Sequence, residues 1–431
     1  ITLRLVGAAG TVVENFGVGS SVTINNNTVS IDPTSDLTQG ETYYISYPSG
    51  AFTNEGGDVS YVGTAYTFGV KPSVYQLWSW GFNQHGQLGH NNETRYSSPV
   101  QITGTNWGAN KSHGESIALL AGFIKTDGTL WTWGKNQGGT LGQNQARAQL
   151  DAASSPVQVG SDTTWKELAV GDYNMIMTKT DGTLWGMGLN EAGGLGVNDK
   201  ANRSSPVQIP GTTWTGDIAT TGGTAFAIKT NGTLWAWGSA WGGAMGTNSW
   251  TQRSSPIQIP GTTWRSVANG STILATKTDG TLWSWGYQTH GQLGQNNNTK
   301  YSSPVQIPGT DWSSTISVSD ASAAATKTDG TLWEWGSTQG QNISSANSKR
   351  SSPVQVGSDT TWSDIAQGIG YSIATKTDGT LWAWGYNASG EGKPLGLNDG
   401  TSRSSPTQIG SDTTWVQPYV SRYGSFAIKE V

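Results

Sequence analysis

Residues 277–286 read Lys-Thr-Asp-Gly-Thr-Leu-Trp-Ser-Trp-Gly, and variants of this stretch recur along most of the chain. The Leu-Trp-x-Trp-Gly part occurs seven times when Met187 is accepted in place of one second Trp. The first Trp of each copy falls at position 78, 131, 185, 235, 283, 333 or 382. A fixed period of about 50 residues indicates a repeat architecture, in which each copy forms the same small unit.

An Asp-Gly pair, replaced by Asn-Gly in one copy, lies between two short apolar segments in six of the repeats. Such a pair favours a β-hairpin with a type I′ turn, because both central residues of that turn need a positive φ. We therefore predict that residues 227–229 pair antiparallel with residues 233–235. No segment shows a convincing helical period, so the sequence predicts an all-β fold.

Two further landmarks recur seven times. Ser-Ser-Pro ends at Pro99, Pro156, Pro206, Pro256, Pro304, Pro353 and Pro406. A solitary Trp follows each, at positions 107, 165, 214, 264, 312, 362 and 415. Proline cannot donate a hydrogen bond to its neighbour, so we expect it at a strand start or on an edge strand. Of the 22 Trp residues only Trp241 and Trp250 stand outside this scheme, which favours a core role for the others.

The two ends of the repeat array are complementary. The first Leu-Trp-x-Trp-Gly copy has no Asp-Gly hairpin before it, and the chain ends on Ser425–Val431 with no Asp-Gly and no Trp after it. One half-hairpin is therefore left over at each end. We predict that the two halves pair, which brings Ile428 to Leu77 and closes a ring, and that closure removes two exposed sheet edges.

The repeats resemble the regulator-of-chromosome-condensation repeat family. The resemblance rests on Trp80–Gly89 and its relatives at 139–142 and 291–294, and it covers about residues 74–431. It implies a seven-bladed β-propeller. The Trp-rich Ser-Ser-Pro-Val-Gln-Ile version is similar to repeats of bacterial and bacteriophage proteins. The sixth repeat departs from the pattern, because Gly340-Gln341-Asn342 lacks the Leu-Gly pair.

Residues 1–70 contain no Trp, and residues 71–73 read as a linker to the propeller of residues 74–431. Residues 21–24 and 28–31 alternate across three Asn residues, which predicts a hairpin. The stretches 40–45, 50–56 and 66–68 resemble the C-terminal part of bacterial immunoglobulin-like domains of surface-layer proteins and adhesins. Because 70 residues fall short of the roughly 100 of a full sandwich, we expect a partial immunoglobulin-like β-sandwich and a chain that is a piece of a longer protein.

Composition excludes several classes of function. The 431 residues carry a net charge of −5, and only 12 % of them are charged, which disfavours nucleic acid as a partner. No Cys is present, so neither a disulfide framework nor a Cys-ligated zinc site can form. No apolar run approaches the roughly 18 residues of a membrane helix, so we expect no membrane insertion.

The sequence shows no catalytic constellation, and we expect no enzyme activity, no cofactor and no metal. The four His residues lack metal-ligand spacing, and turn chemistry accounts for the Asp of each Asp-Gly pair. These residues are His85, His90, His113, His290, Asp127, Asp181, Asp279, Asp329 and Asp378. Glu93, Glu191 and Glu391 are the acids that a polysaccharide-active enzyme could use, but they lie in separate repeats without a motif.

The variable stretches after each Trp-Gly are the best candidates for binding, because loops on one face of a propeller escape the demands of the fold. The candidate binding residues are the aromatics Trp241, Trp250, Phe82, Tyr287 and Tyr386. With their Asn- and Gln-rich neighbours they could stack on sugar rings, and local packing of a longer loop is the alternative. A basic residue recurs just before Ser-Ser-Pro, and its periodicity favours a scaffold role such as bonding carbonyls of a neighbouring blade.

From these features we predict a non-enzymatic extracellular, cell-surface or virion protein with a structural or adhesion role. Its propeller would bind a cell-surface glycan or protein, or other subunits of a surface or virion assembly, through one loop face. The alternative is an intracellular protein-interaction scaffold or an exchange-factor-like propeller. A polysaccharide-active lyase or glycosidase is a third possibility.

Overall fold

The structure, a computed structural model, divides into two compact units, Ile1–Val74 and Tyr75–Val431. It describes residues 1–6, 11–16, 21–25, 28–35, 37–38, 40–47, 51, 66–70, 73–108, 119–145, 149–221, 223–337, 349–387, 390, 392–421 and 423–431. Several residues named above lie outside these ranges. They are most of 50–56, residues 71–72, His113, residues 340–342 and Glu391.

The first unit contains an antiparallel sheet and a separate hairpin. The sheet has the order β2 (Val12–Asn15), β1 (Thr2–Val6), β5 (Thr42–Ser46) and β6 (Tyr66–Gly69). The hairpin joins β3 (Val22–Asn25) to β4 (Thr28–Ile31), and this confirms the pairing predicted for residues 21–24 and 28–31. A small core of Leu3, Phe16, Val22 and Tyr43 is buried in this unit.

The described strands of the second unit form seven antiparallel sheets, numbered here by the repeat that supplies their Leu-Trp-x-Trp-Gly strand. Sheet 1 contains β32 (Trp415–Val420), β33 (Gly424–Glu430), β7 (Tyr75–Gly81) and β8 (Tyr96–Gln101). Sheet 2 contains β9 (Leu120–Ile124), β10 (Leu130–Lys135) and β11 (Ala152–Gln158), and an isolated bridge joins Trp107 to Lys125 beside β9.

Sheets 3 to 7 have four consecutive strands each, in chain order. Sheet 3 contains β12 (Trp165–Val170), β13 (Asn174–Lys179), β14 (Leu184–Gly188) and β15 (Arg203–Ile209). Sheet 4 contains β16 (Trp214–Thr221), β17 (Thr224–Lys229), β18 (Leu234–Gly238) and β19 (Arg253–Gln258). Sheet 5 contains β20 (Trp264–Asn269), β21 (Thr272–Lys277), β22 (Leu282–Gly286) and β23 (Tyr301–Ile307).

The last two sheets repeat the same order. Sheet 6 contains β24 (Trp312–Val318), β25 (Ser322–Lys327), β26 (Leu332–Ser337) and β27 (Lys349–Gln355). Sheet 7 contains β28 (Trp362–Gly368), β29 (Tyr371–Lys376), β30 (Leu381–Gly385) and β31 (Arg403–Gln408). The only helices in the described part of the chain are two short 3₁₀ helices, Gln137–Gly139 and Trp241–Gly243. Each Ser-Ser-Pro lies on the fourth strand, which is a sheet edge, so the expected place of the proline is confirmed.

The Asp-Gly and Asn-Gly hairpins form as predicted, but with a different turn. Ala227 pairs with Trp235, which confirms the predicted register. The type I′ prediction is wrong, because Gly232 has a positive φ of 74° whereas Asn231 does not. The Asn231 Oδ1 accepts hydrogen bonds from the backbone N–H and the hydroxyl of Thr233, which holds Asn231 in an ordinary conformation. The Gly232 N–H donates to the Lys229 carbonyl, as in a type I turn followed by a left-handed glycine.

The two ends of the repeat array pair with each other. Strand β33 runs antiparallel to β7, and Ile428 lies opposite Leu77, so this predicted pairing is confirmed. Both side chains are fully buried. Sheet 1 is therefore built from the two ends of the second unit.

Apolar clusters join each sheet of this unit to the next. Seven such clusters occur among the described residues of the unit, one at each junction from sheets 1 and 2 onward. The last junction packs Tyr371 of sheet 7 against Ala427 of sheet 1. The first strands β12, β16, β20, β24, β28 and β32 contact one another in that order. Each sheet therefore packs beside the next, and sheet 7 packs against sheet 1.

The second Trp of the repeat motif ties neighbouring sheets together. Trp133 is fully buried, and its indole N–H donates to the Gln87 carbonyl of the preceding sheet at 2.8 Å. The same 2.8 Å bond recurs in four other repeats, from Trp80 to Pro394, from Trp237 to Gly194, from Trp285 to Ala244 and from Trp335 to Gln292. In sheet 7 the indole N–H of Trp384 instead donates to Glu334 Oε2 at 3.2 Å. In the other repeats the accepting carbonyl belongs to the residue before a Leu-Gly or Met-Gly pair, and the sequence of residues 338–348 contains no such pair.

A lysine stacks on two tryptophan rings in each repeat, a contact that sequence reasoning missed. In sheet 3 the Lys179 Nζ lies 4.7 Å from the ring centre of the solitary Trp165 and 4.1 Å from that of Trp185. The same pair of contacts recurs at Lys125, Lys229, Lys277, Lys327, Lys376 and Lys429. Such cation–π contacts contribute about 0.5–2 kcal/mol each.

Substitution of Thr213 by Asn is expected to stabilise the chain by about 1 kcal/mol, because Thr213 has a φ of 69° and a β-branched side chain is strained there. Asn106 occupies the same place before a solitary Trp with a φ of 63°. The measurement is the free energy of unfolding in denaturant. Thr414→Asn, at the equivalent place with a negative φ, is the matched control and is expected to gain nothing. Equal gains in both variants would contradict the strain argument.

Candidate interaction surface

The loops that join the third strand to the fourth lie at one end of the sheets, called here the loop face. In sheet 4 the loop runs over residues 239–252. The loop is anchored in the core, because Met245 is fully buried and the Ala244 carbonyl accepts the indole N–H of Trp285 from sheet 5. The Ala244 N–H donates to the Trp241 carbonyl at 3.2 Å. The loop therefore holds Trp241 on a rigid support.

Trp241 extends from this loop onto the neighbouring sheet. Its ring stacks on Tyr287 with the ring centres 4.3 Å apart and the planes inclined by 28°. Gly242 permits the approach, because a Cβ at this position would lie 2.7 Å from the Tyr287 Cβ. The Trp241 side chain is nevertheless 61 % exposed. One face of the indole therefore packs on Tyr287, and the other faces solvent.

Tyr287 is held by two partners. Its N–H donates to the Ser271 carbonyl, and its own carbonyl accepts the Thr272 hydroxyl at 2.7 Å. The Lys300 Nζ lies 4.3 Å from the centre of the Tyr287 ring. The Trp241 ring and the Lys300 ammonium group therefore both contact the Tyr287 ring. Trp241, Tyr287 and Lys300 are called here the Trp241 surface.

The other candidate aromatics lie elsewhere on the loop face. Trp250 is 62 % exposed in the same loop as Trp241. Tyr386 is 37 % exposed in the loop of sheet 7, and its N–H donates to the Gly370 carbonyl. Phe82 is half-buried in the loop of sheet 1, edge-on to Tyr423 at 6.4 Å. The structure thus brings two of the five candidate residues, Trp241 and Tyr287, into a ring stack.

The basic residues before Ser-Ser-Pro make two kinds of contact. The Arg95 guanidinium lies 4.6 Å over the Phe82 ring and donates to the Gly390 carbonyl of sheet 7, a bond to a neighbouring sheet as expected from the sequence. Arg203 and Arg403 instead form ion pairs with Asp199 and Asp399 of their own loops. Arg95 therefore links neighbouring sheets as expected, whereas Arg203 and Arg403 stabilise their own loops.

The titratable residues considered for chemistry are engaged in local structure. Asp181 accepts from the hydroxyl and N–H of Thr183, and these bonds lower the pKa of its carboxyl. Burial and the nearby Lys349 lower the pKa of His290. Within the described ranges, no three His, Asp or Glu side chains come together as a metal site would need. Glu93 and Glu191 lie on loops of different sheets.

No helix in the described part of the chain is both long and apolar enough to cross a membrane.

Comparison with known proteins identifies the repeats. The model of the regulator of chromosome condensation (RCC1) repeat matches residues 76–111, 127–176 and 279–326. The repeats are of the RCC1 type. The matched residues include three Leu-Trp-x-Trp-Gly strands, those of sheets 1, 2 and 5, and the solitary Trp107, Trp165 and Trp312, so the period read from the sequence is that of RCC1 repeats.

Curated relatives match part of the RCC1-type region. The ultraviolet-B receptor UVR8 of Arabidopsis thaliana is 27 % identical over 147 residues, which are 33 % of this chain and 31 % of that protein. Protein RCC2 of Homo sapiens is 35 % identical over 132 residues, which are 28 % of this chain and 23 % of that protein. The match thus spans less than a third of each relative.

Solved structures share the fold. Yeast RCC1 (Prp20) bound to Kap60 aligns with a TM-score of 0.71 at 16 % identity, covering 83 % of this chain and 89 % of that one. Human WBSCR16 aligns with a TM-score of 0.69 at 17 % identity, covering 82 % and 98 %. The chain is therefore an all-β protein with an RCC1-like propeller.

The comparisons also correct the predicted location. The matched family is named for chromosome condensation, and another Prp20 structure is described with its binding to Gsp1p and histones. Chromosomes and histones are intracellular, so the prediction of an extracellular, cell-surface or virion location is wrong. The Asp-Gly turns recur with the repeat, so they reflect the repeat fold and carry no information on location.

Proposed function

We propose that residues 75–431 are a seven-bladed RCC1-type propeller that serves as an intracellular protein-interaction scaffold. This is the alternative function considered from the sequence. Seven sheets, seven apolar junctions and the β33–β7 pairing support a closed seven-bladed ring. A closed ring of packed sheets is a rigid base, on which loops can present side chains without ordering cost on binding.

The observation that carries the proposal is the Trp241 surface. An exposed Trp supported by a second ring is the kind of residue that dominates protein interfaces, where Trp and Tyr are enriched among hot spots. Trp241 lies outside the repeat scheme, so the fold does not require an aromatic there. Relatives of the same fold bind proteins, because yeast RCC1 was determined with Kap60. An exchange-factor-like activity is a narrower form of the same proposal.

We propose that residues 1–70 are a partial immunoglobulin-like sandwich that accompanies the propeller. Two features support it, the antiparallel order β2-β1-β5-β6 and the β3–β4 hairpin with Val22 in the core. The resemblance of residues 40–45 and 66–68 to immunoglobulin-like domains falls on β5 and β6. The glycan partner and the bacterial or bacteriophage origin inferred from the sequence stay predictions.

The experiment that tests the scaffold function is affinity capture with the full chain from a lysate of cells that express it. We expect at least one protein to be retained by the wild type and by Tyr386→Ala, the matched loop-face control. We expect it to be lost from Trp241→Ala/Tyr287→Ala, with affinity for the purified partner at least about tenfold weaker by calorimetry. Circular dichroism checks that both variants fold. Identical retention by all three chains, or no retained protein, contradicts the proposal.

A further inference from the structure

The two loops that carry the Trp241 surface contain no negatively charged side chain. The loops of sheets 4 and 5, residues 239–252 and 287–300, contain no Asp and no Glu, although the whole chain carries a net charge of −5. The same loops end on basic residues, since Lys300 closes one and Arg253 follows the other. These two loops and the basic residues that close them, called here the positive sector, therefore carry positive charge on an acidic protein.

A third cation joins the sector from sheet 6. The Lys349 Nζ donates to the Thr289 carbonyl at 3.1 Å, in the same loop as Tyr287. Lys300, Lys349 and Arg253 are all exposed at the surface. The loop of sheet 3 differs, because there Asp199 neutralises Arg203. The sector thus carries three exposed cations, and exposed Asp320 of sheet 6 borders it, because the backbone carbonyl of Asp320 accepts the Ser271 hydroxyl.

The open face of Trp241 favours an apolar anchor. An indole face can accept an aliphatic or aromatic side chain, or a cation through its π electrons. The surrounding Lys300, Lys349 and Arg253 repel a cationic side chain, which leaves the apolar choice. Their charge also attracts carboxylates that flank such an anchor. Nucleic acid is a poorer fit, because its binding relies on more phosphate contacts than three cations supply.

We propose that the Trp241 surface binds an acidic protein segment through one aromatic or large aliphatic side chain, which stacks on Trp241 while flanking Asp and Glu residues contact Lys300, Lys349 and Arg253. This inference rests on the proposed scaffold function and names the chemistry of the partner. The stack supplies most of the affinity, and the charges supply specificity and fast association.

The test measures binding of fluorescent peptides to the full chain by anisotropy. One peptide is rich in Asp and Glu around a central Phe, a second replaces the acids by Lys and Arg, and a third replaces Phe by Gly. An oligothymidine is the nucleic-acid probe. We expect the acidic Phe peptide to bind best, and added salt to weaken its binding.

Variants separate the two parts of the site. Trp241→Ala and Lys300→Glu are expected to weaken binding of the acidic Phe peptide at least about tenfold. Tyr386→Ala and Lys200→Glu, an exposed aromatic and an exposed lysine on other sheets, are the matched controls and are expected to leave it unchanged. All these side chains are exposed, so the fold tolerates their replacement.

Three results would overturn the inference: equal or tighter binding of the basic peptide, equal or tighter binding of the oligothymidine, or no effect of Lys300→Glu. Absence of binding by the acidic Phe peptide would also overturn it. If the wild type still captures a protein through Trp241, the scaffold function survives and the partner chemistry is wrong. If capture and peptide binding both fail, the scaffold function is wrong as well.

Discussion

A chain without Gly424–Val431 is expected to lose the cooperative fold of the propeller. The deletion removes β33, so β7 and β32 lose their shared neighbour and two sheet edges open. It also removes Phe426, Ala427 and Ile428 from two inter-sheet clusters. Removal of one large buried side chain costs about 2–5 kcal/mol, and a whole domain is stable by only about 5–15 kcal/mol.

Denaturant unfolding followed by tryptophan fluorescence and circular dichroism measures this effect. Ile428→Ala is the graded variant, and it is expected to lose about 2–5 kcal/mol because Ile428 is fully buried. Deletion of Val431 alone is the control, since this residue is 50 % exposed and lies beyond β33. A cooperative transition of the long deletion within about 1 kcal/mol of the wild type would contradict closure by β33.

The second large effect is expected at Glu334, a fully buried carboxyl between sheets 6 and 7. Glu334 Oε1 accepts from the Ser372 hydroxyl at 2.7 Å and from the Gln367 amide at 3.3 Å, and Oε2 accepts from the Trp384 indole. Burial raises the pKa of Glu334, and the three hydrogen bonds oppose that shift only in part. A protonated Glu334 would also supply a donor for the buried Gln367 Oε1, which has no partner among the described residues, once the amide rotates.

The raised pKa sets the sign of the pH dependence. In the unfolded chain Glu334 ionises near its ordinary pKa, whereas the folded chain keeps the proton to higher pH. The stabilisation from this proton is complete below the unfolded pKa and is lost as pH rises through the folded pKa. Glu334→Gln has no proton to lose, so at neutral pH it is expected to be about 1–3 kcal/mol more stable than the wild type.

Glu334→Ala is expected to act in the opposite direction. It leaves the Trp384 N–H and the Ser372 hydroxyl buried without an acceptor, which costs about 1–3 kcal/mol for each group. The measurement is the free energy of unfolding of all three chains from about pH 4 to about pH 8. A Gln variant as unstable as the Ala variant, or one with the same pH profile as the wild type, would show that the ionised carboxylate stabilises the fold.

The repeat count, the hairpin register and the β33–β7 pairing could be predicted from the sequence because they depend on local patterns. Residues 227–229 face 233–235 across one turn. Each end of the repeat array has one half-hairpin without a local partner, so the two halves could be predicted to pair. The turn type could not be predicted, because it depends on whether Asn231 bonds Thr233 or adopts a positive φ.

Contacts between sheets lay beyond sequence reasoning. Trp241 and Tyr287 were both singled out, but their stacking depends on how the loop of one sheet reaches the next. The lysine of each repeat was visible in the same motif as the Asp-Gly turn. Its contact with two indoles could not be predicted, because that contact depends on the fold placing the solitary Trp beside the first Trp of the motif. Glu334 interrupts the series of small residues at the centre of Leu-Trp-x-Trp-Gly, and that break was the available signal for the buried carboxyl.

Sheet 1 joins strands that are hundreds of residues apart, and this has a consequence for biosynthesis. While the ribosome makes the chain, β7 and β8 are the first strands of the second unit to emerge, and β7 lacks its other neighbour until β33 has been released. Contacts of such long sequence separation form slowly, because the intervening chain must be ordered first. Nascent β7 carries Leu77 and Trp80, which are both fully buried in the folded protein. We therefore expect β7 to need shielding by a chaperone until translation reaches β33.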